Sequence, residues 1–261
     1  MKLVYLCGSP NKEESLSSAL IHALDKKLPE HEGIFLDTLD KADDIVKYLD
    51  ELRPHDKAGA LVIAFPLYFD GLPACLTGSL EVMSEKMPER ESTPDQAPTP
   101  GPDLSPGSDA TFESELASDS DSASGLESKQ DSDAGPESDS QIKVYTIINC
   151  AFYESENMEN AADMIRLWCK AAGLSYKGAL LIGGGAAGIA MAGEKGQGSR
   201  VDKSLISLAD AIIKNDDINK RYVKPKKSKK AYLKARNKDW FRAAKKYGKT
   251  VEDLLGFTVP E

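Results

Sequence analysis

Residues 59–73 combine a short apolar segment with a loop that is rich in proline and aromatic residues. The apolar part, Gly59–Ala64, is shorter than a typical helix and leads into Phe65-Pro66, so it predicts a buried strand. The loop that follows, residues 67–73, brings two aromatic residues, one acid and one glycine together. Strand ends of this kind at the carboxyl edge of a parallel sheet bind flat ligands in open α/β proteins. The segment therefore favours an α/β fold with a binding site at that edge.

The rest of the chain alternates strand-like and helix-like segments. Strands are predicted at residues 2–7, 33–36, 59–65, 142–149 and 180–182. Helices are predicted at residues 14–28, 41–52, from 73 onward, 156–172 and 201–214. This order predicts an α/β fold with a doubly wound, five-stranded parallel sheet.

Residues 85–141 interrupt this alternation with a different composition. They contain fifteen Asp and Glu, three Lys and Arg, twelve Ser and seven Pro, without a periodic apolar face. Such a segment cannot bury enough apolar surface to offset the entropy cost of ordering it. We therefore predict a long disordered acidic insert in a helix-to-strand connection, where extra loop length costs little free energy.

The domain organisation follows from these boundaries. Residues 1–84 and 142–218 form one predicted domain, and residues 219–261 form a basic helical C-terminal extension. Residues 220–249 hold fourteen Lys and Arg against one acid, with aromatic residues among them. A basic run of this kind is usually a solvated helix face, so nucleic-acid binding is not favoured and no membrane partner is expected.

Cysteine usage and the amino terminus bear on the compartment. The four cysteines, Cys7, Cys75, Cys150 and Cys169, lie far apart without a metal-binding spacing, which favours buried thiols in a reducing compartment. The first apolar segment ends at Cys7 and is shorter than the core of a signal peptide. A cytoplasmic location is the expectation, and no metal site is predicted.

Three loops, each directly after a predicted strand, resemble those of the flavodoxin-like NAD(P)H-dependent FMN reductase family. The first is Gly8-Ser9-Pro10 with the cluster Ser15-Leu16-Ser17-Ser18. The second is Pro66-Leu67-Tyr68-Phe69-Asp70 followed by Leu72-Pro73, and the third is Asn149-Cys150-Ala151-Phe152-Tyr153-Glu154. The resemblance covers about residues 1–85 and 142–215. It implies a flavodoxin-like fold with strand order 2-1-3-4-5, bound FMN and a homodimer.

The resemblance also assigns the residues of the FMN site. The first loop would hold the phosphate at a helix amino terminus, with Ser9, Ser15 and Ser17 as hydroxyl donors. The isoalloxazine ring would lie between two walls. Their residues are Pro66, Leu67, Tyr68 and Phe69 on one side, and Asn149, Cys150, Phe152 and Tyr153 on the other. The alternative for the serines is helix capping, and for Phe152 and Tyr153 it is packing over the sheet.

The phosphate loop also departs from the family pattern. Asn11 replaces a position that is often Arg or Lys, and Glu13 and Glu14 add negative charge near the predicted phosphate. Leu16 replaces a residue that is commonly polar. These differences predict weaker FMN binding.

The predicted function is an FMN-dependent oxidoreductase that takes hydride from NADH or NADPH and passes it, or electrons, to a small-molecule acceptor. The flavin carries this chemistry, and none of the three histidines lies in the predicted loops, so we nominate no catalytic side chain. Two alternatives stay open: an electron carrier of flavodoxin type, and an interaction protein on a flavodoxin-like frame without FMN. The sequence leaves the acceptor and the choice between NADH and NADPH undecided.

Overall fold

The computed structural model describes residues 1–38, 42–52, 59–86, 141–185, 197–250 and 252–253. The strands are β1 (Lys2–Cys7), β2 (Glu32–Asp37), β3 (Ala60–Pro66), β4 (Lys143–Asn149), β5 (Ser175–Ile182) and β6 (Asn219–Val223). The helices are α1 (Leu16–Asp25), α2 (Ala42–Leu52), α3 (Ala74–Lys86), α4 (Glu159–Ala171), α5 (Gln197–Lys214) and α6 (Lys229–Lys246). Most of the insert predicted at 85–141 lies outside the described residues, so the prediction that it is disordered stays a prediction.

The strands form a single sheet in the order β2-β1-β3-β4-β5-β6. Every neighbouring pair is parallel, from Lys2↔Glu32 in β1 and β2 to Ile182↔Val223 in β5 and β6. The order of the first five strands is that of flavodoxin, in which the sequence order reverses between β1 and β3. The predicted flavodoxin-like, doubly wound fold is therefore confirmed.

The prediction of five strands is wrong by one, because β6 adds a sixth at the edge beside β5. Residues 219–223 fell within a segment predicted to be helical. Only Val223 of this strand is buried, and its other side chains are polar or charged, so the apolar pattern of a strand is missing. Neighbouring groups fix the strand instead: Lys220 pairs with Asp163 at 2.9 Å, and the Tyr222 hydroxyl donates to Glu159 at 2.7 Å.

The apolar core lies in two layers, one on each face of the sheet. Alternating residues of β1 divide between them: Val4 and Leu6 join the layer under α2, α3 and α4, whereas Leu3 and Tyr5 join the layer under α1 and α5. This division follows from the two-residue period of a strand. Helices on both faces bury the sheet and leave its strand ends open to solvent, which is where a ligand site can form.

The cysteines and the membrane expectation can also be compared with the structure. Cys7, Cys150 and Cys169 are buried as predicted, whereas Cys75 is half-buried, and all four are free thiols. In the part of the chain that the structure describes, no helix is long and apolar enough to cross a bilayer. Within those same residues, no group of three His, Cys, Asp or Glu side chains is arranged to hold a metal ion.

Candidate functional site

Three loops meet at the carboxyl edge of the sheet, beside the reversal of strand order. We name them by the strand they follow: the β1 loop (residues 8–15), the β3 loop (residues 67–73) and the β4 loop (residues 150–158). They contain or adjoin ten of the eleven residues that the sequence assigned to a cofactor, and the eleventh, Ser17, lies in the first turn of α1. Their proximity follows from the parallel sheet, because β1, β3 and β4 are neighbours and end at the same edge.

Asn149, the last residue of β4, links the first turn of α1 to the end of β3 and its loop. Its side-chain Nδ2 donates to the Ser17 hydroxyl at 2.8 Å and to the Phe65 carbonyl at 3.1 Å. Its own carbonyl accepts from the Leu67 amide at 2.8 Å. The residue is buried, so these bonds are protected from water. Asn149 therefore sets the spacing between the start of α1 and the ends of β3 and β4.

The β3 loop is a tight turn that presents an aromatic side chain to solvent. Tyr68 and Gly71 exchange two backbone hydrogen bonds, of 3.3 and 3.0 Å, around Phe69 and Asp70. Both central residues have positive φ, +46° and +61°, as a type I′ turn requires. A bulky residue rarely adopts this conformation. Phe69 is fully exposed and Tyr68 is 43% exposed, so the turn holds an unpacked aromatic surface beside the strand ends.

The three serines assigned to the phosphate all lie in or beside the β1 loop, and all three are buried. The Ser15 hydroxyl caps α1 by accepting a hydrogen bond from the Ser18 backbone amide at 3.1 Å. This is the helix-capping role that the sequence analysis gave as the alternative to phosphate binding. The Ser9 hydroxyl accepts from the Asn11 backbone amide at 3.4 Å, and the Ser17 hydroxyl accepts from the Asn149 side chain. That these hydroxyls bind a phosphate stays a prediction.

A polar groove of about 710 Å³ runs along the outer side of the β1 loop. Its lining residues are Pro10, Asn11, Lys12, Glu14 and Asp37. The Lys12 ammonium lies 3.8 Å from the Asp37 carboxylate across the groove. Sequence reasoning missed Asp37. The signal that could have found it is its place at the end of the strand after α1, where doubly wound folds put ligand-binding residues.

The β4 loop carries the second predicted wall. Phe152 is 52% exposed at its tip, whereas Cys150 is buried in the core, where burial raises the pKa of its thiol to about 11. The loop packs closely on the chain after β5: a Cβ at Gly183 would lie 2.8 Å from the Tyr153 carbonyl oxygen. The absence of a side chain at Gly183 therefore allows the chain after β5 to lie close to the backbone of this loop.

The beginning of the C-terminal extension braces the β4 loop. The Tyr232 hydroxyl donates to the Ala151 carbonyl at 2.5 Å, and its ring lies 5.6 Å from that of Tyr153. Lys229 forms an ion pair with Glu154, which lowers the pKa of that carboxyl. The sequence placed Tyr232 in a basic tail without linking it to the site, because nothing local indicates which loop a distant helix contacts.

The structure thus divides the predicted ring-binding residues into two groups. Tyr68, Phe69 and Phe152 are exposed and Tyr153 is half-buried against Tyr232, so their rings lie at the surface of the site. Leu67 and Cys150 belong to the core under α3 and α4, and they can reach a ligand only through their backbone.

Comparison with known proteins gives matches among solved structures alone, since no family model and no curated protein matches this chain. An NADH:FMN oxidoreductase in its apo form is 12% identical over 80% of this chain and 89% of the other, with a TM-score of 0.45. General stress protein 14 from Treponema denticola, in complex with FMN, is 10% identical over 81% and 98%, with a TM-score of 0.42. An azoreductase from Bacillus anthracis is 13% identical over 82% and 99%, with a TM-score of 0.43.

Proposed function

We propose that this protein is an FMN-dependent oxidoreductase that accepts hydride from NADH or NADPH and reduces a small-molecule acceptor. One observation carries the proposal: Asn149 joins the first turn of α1 to the end of β3, and the loops of the strand-order reversal present unpacked aromatic rings at the carboxyl edge. The β1/β3 reversal is where flavodoxin-like folds bind FMN. A homodimer belongs to the same proposal and rests on the family resemblance of the loops, whereas the proposed cytoplasmic location rests on the free cysteines and the short apolar segment that ends at Cys7.

The isoalloxazine ring fits the aromatic part of this edge. A flat, largely apolar ring needs apolar walls and a few polar groups at one side. Tyr68 and Phe69 would supply one wall, and Phe152 with the edge of Tyr153 would supply the other. The exposed aromatic surface is costly to leave in water, and a stacked ligand would cover it.

The phosphate would be held chiefly by backbone groups. The first amides of α1 lie at a helix amino terminus, which attracts anions through its partial positive charge. The Ser9, Ser15 and Ser17 hydroxyls shape this turn through the bonds described above. In this arrangement, FMN affinity depends on the loop's conformation more than on a charged side chain, and the weaker FMN binding expected from Asn11, Glu13 and Glu14 stays a prediction.

Bound flavin would supply the redox chemistry by accepting hydride from the nicotinamide. The protein's own residues would stack against the ring, fix its polar edge by backbone contacts and leave one face open to the second substrate. None of these tasks needs an acid or base, so we nominate no catalytic side chain.

A second candidate function is an interaction protein on the same frame without FMN. The contacts around the β1 loop favour it: the Ser15 hydroxyl is engaged as a helix cap, and Ser17 of α1 is buried against Asn149. Glu14 in the loop and Asp37 beside it add two carboxylates. The oxidoreductase would retain FMN, whereas the interaction protein would not. A flavodoxin-type carrier would also retain FMN, but its flavin would react slowly with NADH and NADPH.

Flavin fluorescence titration tests the placement of the ring. The double variant Phe69→Ser/Phe152→Ser should bind FMN about tenfold more weakly than the wild type, because each wall loses one of its two aromatic rings. Trp240→Ser is the matched control, since Trp240 is 69% exposed on α6 and plays no part in the proposed site. Equal FMN affinity in the double variant, the control and the wild type would refute this placement.

A further inference from the structure

We propose that the exposed side of α6 binds single-stranded nucleic acid, with its lysines at the phosphates and its aromatic rings stacked on the bases. This inference goes beyond the proposed redox function and does not depend on bound flavin. The sequence alone did not favour nucleic acid, because a basic run is usually a solvated helix face. The structure adds the exposure and the arrangement of the aromatic side chains, which a solvated face does not explain.

Most of the surface of α6 faces solvent. Its 18 residues bury two side chains, those of Tyr232 and Ala244. Tyr232 contacts the β4 loop, and Lys229 at the start of the helix pairs with Glu154 of that loop. The helix is about 27 Å long, because each residue adds about 1.5 Å. A partner can therefore contact α6 over most of its length.

Large apolar side chains lie exposed along one side of this helix. Leu233 is 46% exposed, Trp240 is 69% exposed and Tyr247, the residue that ends the helix, is 83% exposed. They follow each other at intervals of seven residues, or about two turns, so they form one row. Tryptophan is highly buried on average, and grouped exposed apolar side chains mark interaction sites.

A row of lysines runs beside this apolar row. Lys230, Lys234 and Lys238 follow at intervals of four residues, so they are neighbours along the helix surface. Phe241, which is 36% exposed, lies on the same side, and Lys245 continues the row. The first three lysines form no ion pair with any residue that the structure describes. The helix therefore presents positive charge and aromatic rings together.

The positive charge of this region is not balanced locally. Residues 220–249 hold fourteen Lys and Arg against one acid, Asp239. That acid pairs with Arg236 at 2.7 Å and with Arg242 at 3.3 Å, both within α6. Like charges four residues apart destabilise a helix. A polyanion along the lysine row would relieve this repulsion and release its own counterions.

The exposed rings favour a single strand over other partners. A duplex stacks its bases on one another, whereas a single strand leaves base faces free for aromatic side chains. An anionic membrane requires an apolar face apart from the basic one, but Phe241 lies among the lysines and Leu233 is the one long aliphatic side chain of α6. A second copy of this chain would bring two strongly basic helices together, and these repel each other.

Fluorescence anisotropy of the full-length protein with a labelled oligothymidylate of about 20 nucleotides tests the proposal. The double variant Trp240→Leu/Tyr247→Leu keeps the charge and apolar bulk of α6 but removes two rings. It should bind about tenfold more weakly than the wild type, because stacking contributes to the affinity for each base. Phe35→Leu is the matched control and should bind like the wild type, since Phe35 is 45% exposed on β2, at the opposite edge of the sheet from β6.

A salt titration of the same complex tests the lysine row. The logarithm of the binding constant falls linearly with the logarithm of the salt concentration, by about 0.7 for each phosphate that is neutralised on a single strand. Lys234→Gln/Lys238→Gln should therefore make this slope shallower by about 1.4. Lys203→Gln/Lys214→Gln, the same change at two exposed positions of α5, should leave the slope unchanged.

Four outcomes would overturn the inference: no binding of the oligothymidylate by the wild type, equal or tighter binding of a DNA duplex of the same length, full affinity in Trp240→Leu/Tyr247→Leu, or an unchanged salt slope in Lys234→Gln/Lys238→Gln. Vesicles of phosphatidylserine and phosphatidylcholine provide the membrane comparison. Binding to these vesicles without binding to the oligothymidylate would assign α6 to a lipid surface instead. Because the probes contain no flavin, failure of the proposed redox function leaves these measurements interpretable.

Discussion

Asn149 hydrogen-bonds to α1 and to the end of β3 from its buried position at the end of β4. Replacing it with Ala removes the donor for Ser17 and for the Phe65 carbonyl and leaves both buried groups without that partner. We expect Asn149→Ala to lower the free energy of unfolding by about 1–3 kcal/mol in urea denaturation. Asn237→Ala, at an exposed position of α6, is the control and should cost well under 1 kcal/mol. Equal effects would show that the ties at Asn149 are unimportant.

The Cys150 thiol makes a pH-dependent contribution to stability. Burial raises its pKa from 9.0 to about 11 in the folded protein, so the thiol stays protonated at pH values where the unfolded chain ionises. Its contribution is complete below pH 9 and is lost as the pH rises from 9 to 11. Urea denaturation across this range should show a steeper loss of stability in the wild type than in Cys150→Ala, and parallel curves would contradict this.

At the residue scale, the sequence was most informative where a residue type has one common structural role. The serines after β1 predicted a helix start, and Ser15 is indeed the cap of α1. The positions of Asn149 and Asp37 depend on partners from other elements, Ser17 of α1 and Cys7 of β1, which are remote in sequence. Periodicity and spacing carry no information on such pairings, so these contacts had to come from the structure.

Among the secondary-structure elements, β6 protects the edge of the sheet. It pairs with β5 along Gly178–Ile182 and replaces an apolar edge with a polar one. A chain that ends at Asp217 should expose the backbone groups of β5 and aggregate, whereas a chain that ends at Lys227 keeps β6 and should stay dispersed. Light scattering of the two truncated proteins at equal concentration tests this. Similar scattering from both would mean that β6 has no protective role.

The contact between α6 and the β4 loop gives a second prediction at this scale. Tyr232→Phe keeps the ring against Tyr153 but removes the hydroxyl that donates to Ala151. We expect a loss of about 0.5–1.5 kcal/mol in the free energy of unfolding. Tyr247→Phe is the matched control, because Tyr247 is 83% exposed and should tolerate the change. If both variants are equally stable, the hydrogen bond does not brace the loop.

The elements that sequence reasoning predicted correctly are those with an apolar period. The buried strands β1, β3 and β4 are mostly apolar, and their bounds lie within one residue of the predictions. The edge strand β6 and the polar beginning of β5, Ser175–Lys177, were missed because charged and polar residues obscure the period. Their strand conformation depends on pairing with a neighbour, which is a tertiary effect.

On the scale of the whole molecule, the fold should not depend on the acidic insert. One compact unit comprises Met1–Pro88 and Ser138–Glu261, so the chain on both sides of the insert builds one sheet. Replacing residues 89–137 with about ten Gly and Ser residues should raise the free energy of unfolding by about 1 kcal/mol, because a shorter loop loses less entropy on folding. Thermal unfolding of the shortened protein checks this. A clear loss of stability would show that the insert contributes to the fold.

The claim that the molecule is a flavin enzyme is tested most directly by its absorbance spectrum. Purified protein would be mixed with FMN, freed of unbound flavin, made anaerobic and treated with NADH and then, in a separate sample, with NADPH. We predict that the protein retains a yellow flavin band and that at least one of the two nucleotides bleaches it quickly. A folded protein that retains no flavin, or retained flavin that neither nucleotide reduces at an appreciable rate, would contradict the proposed activity.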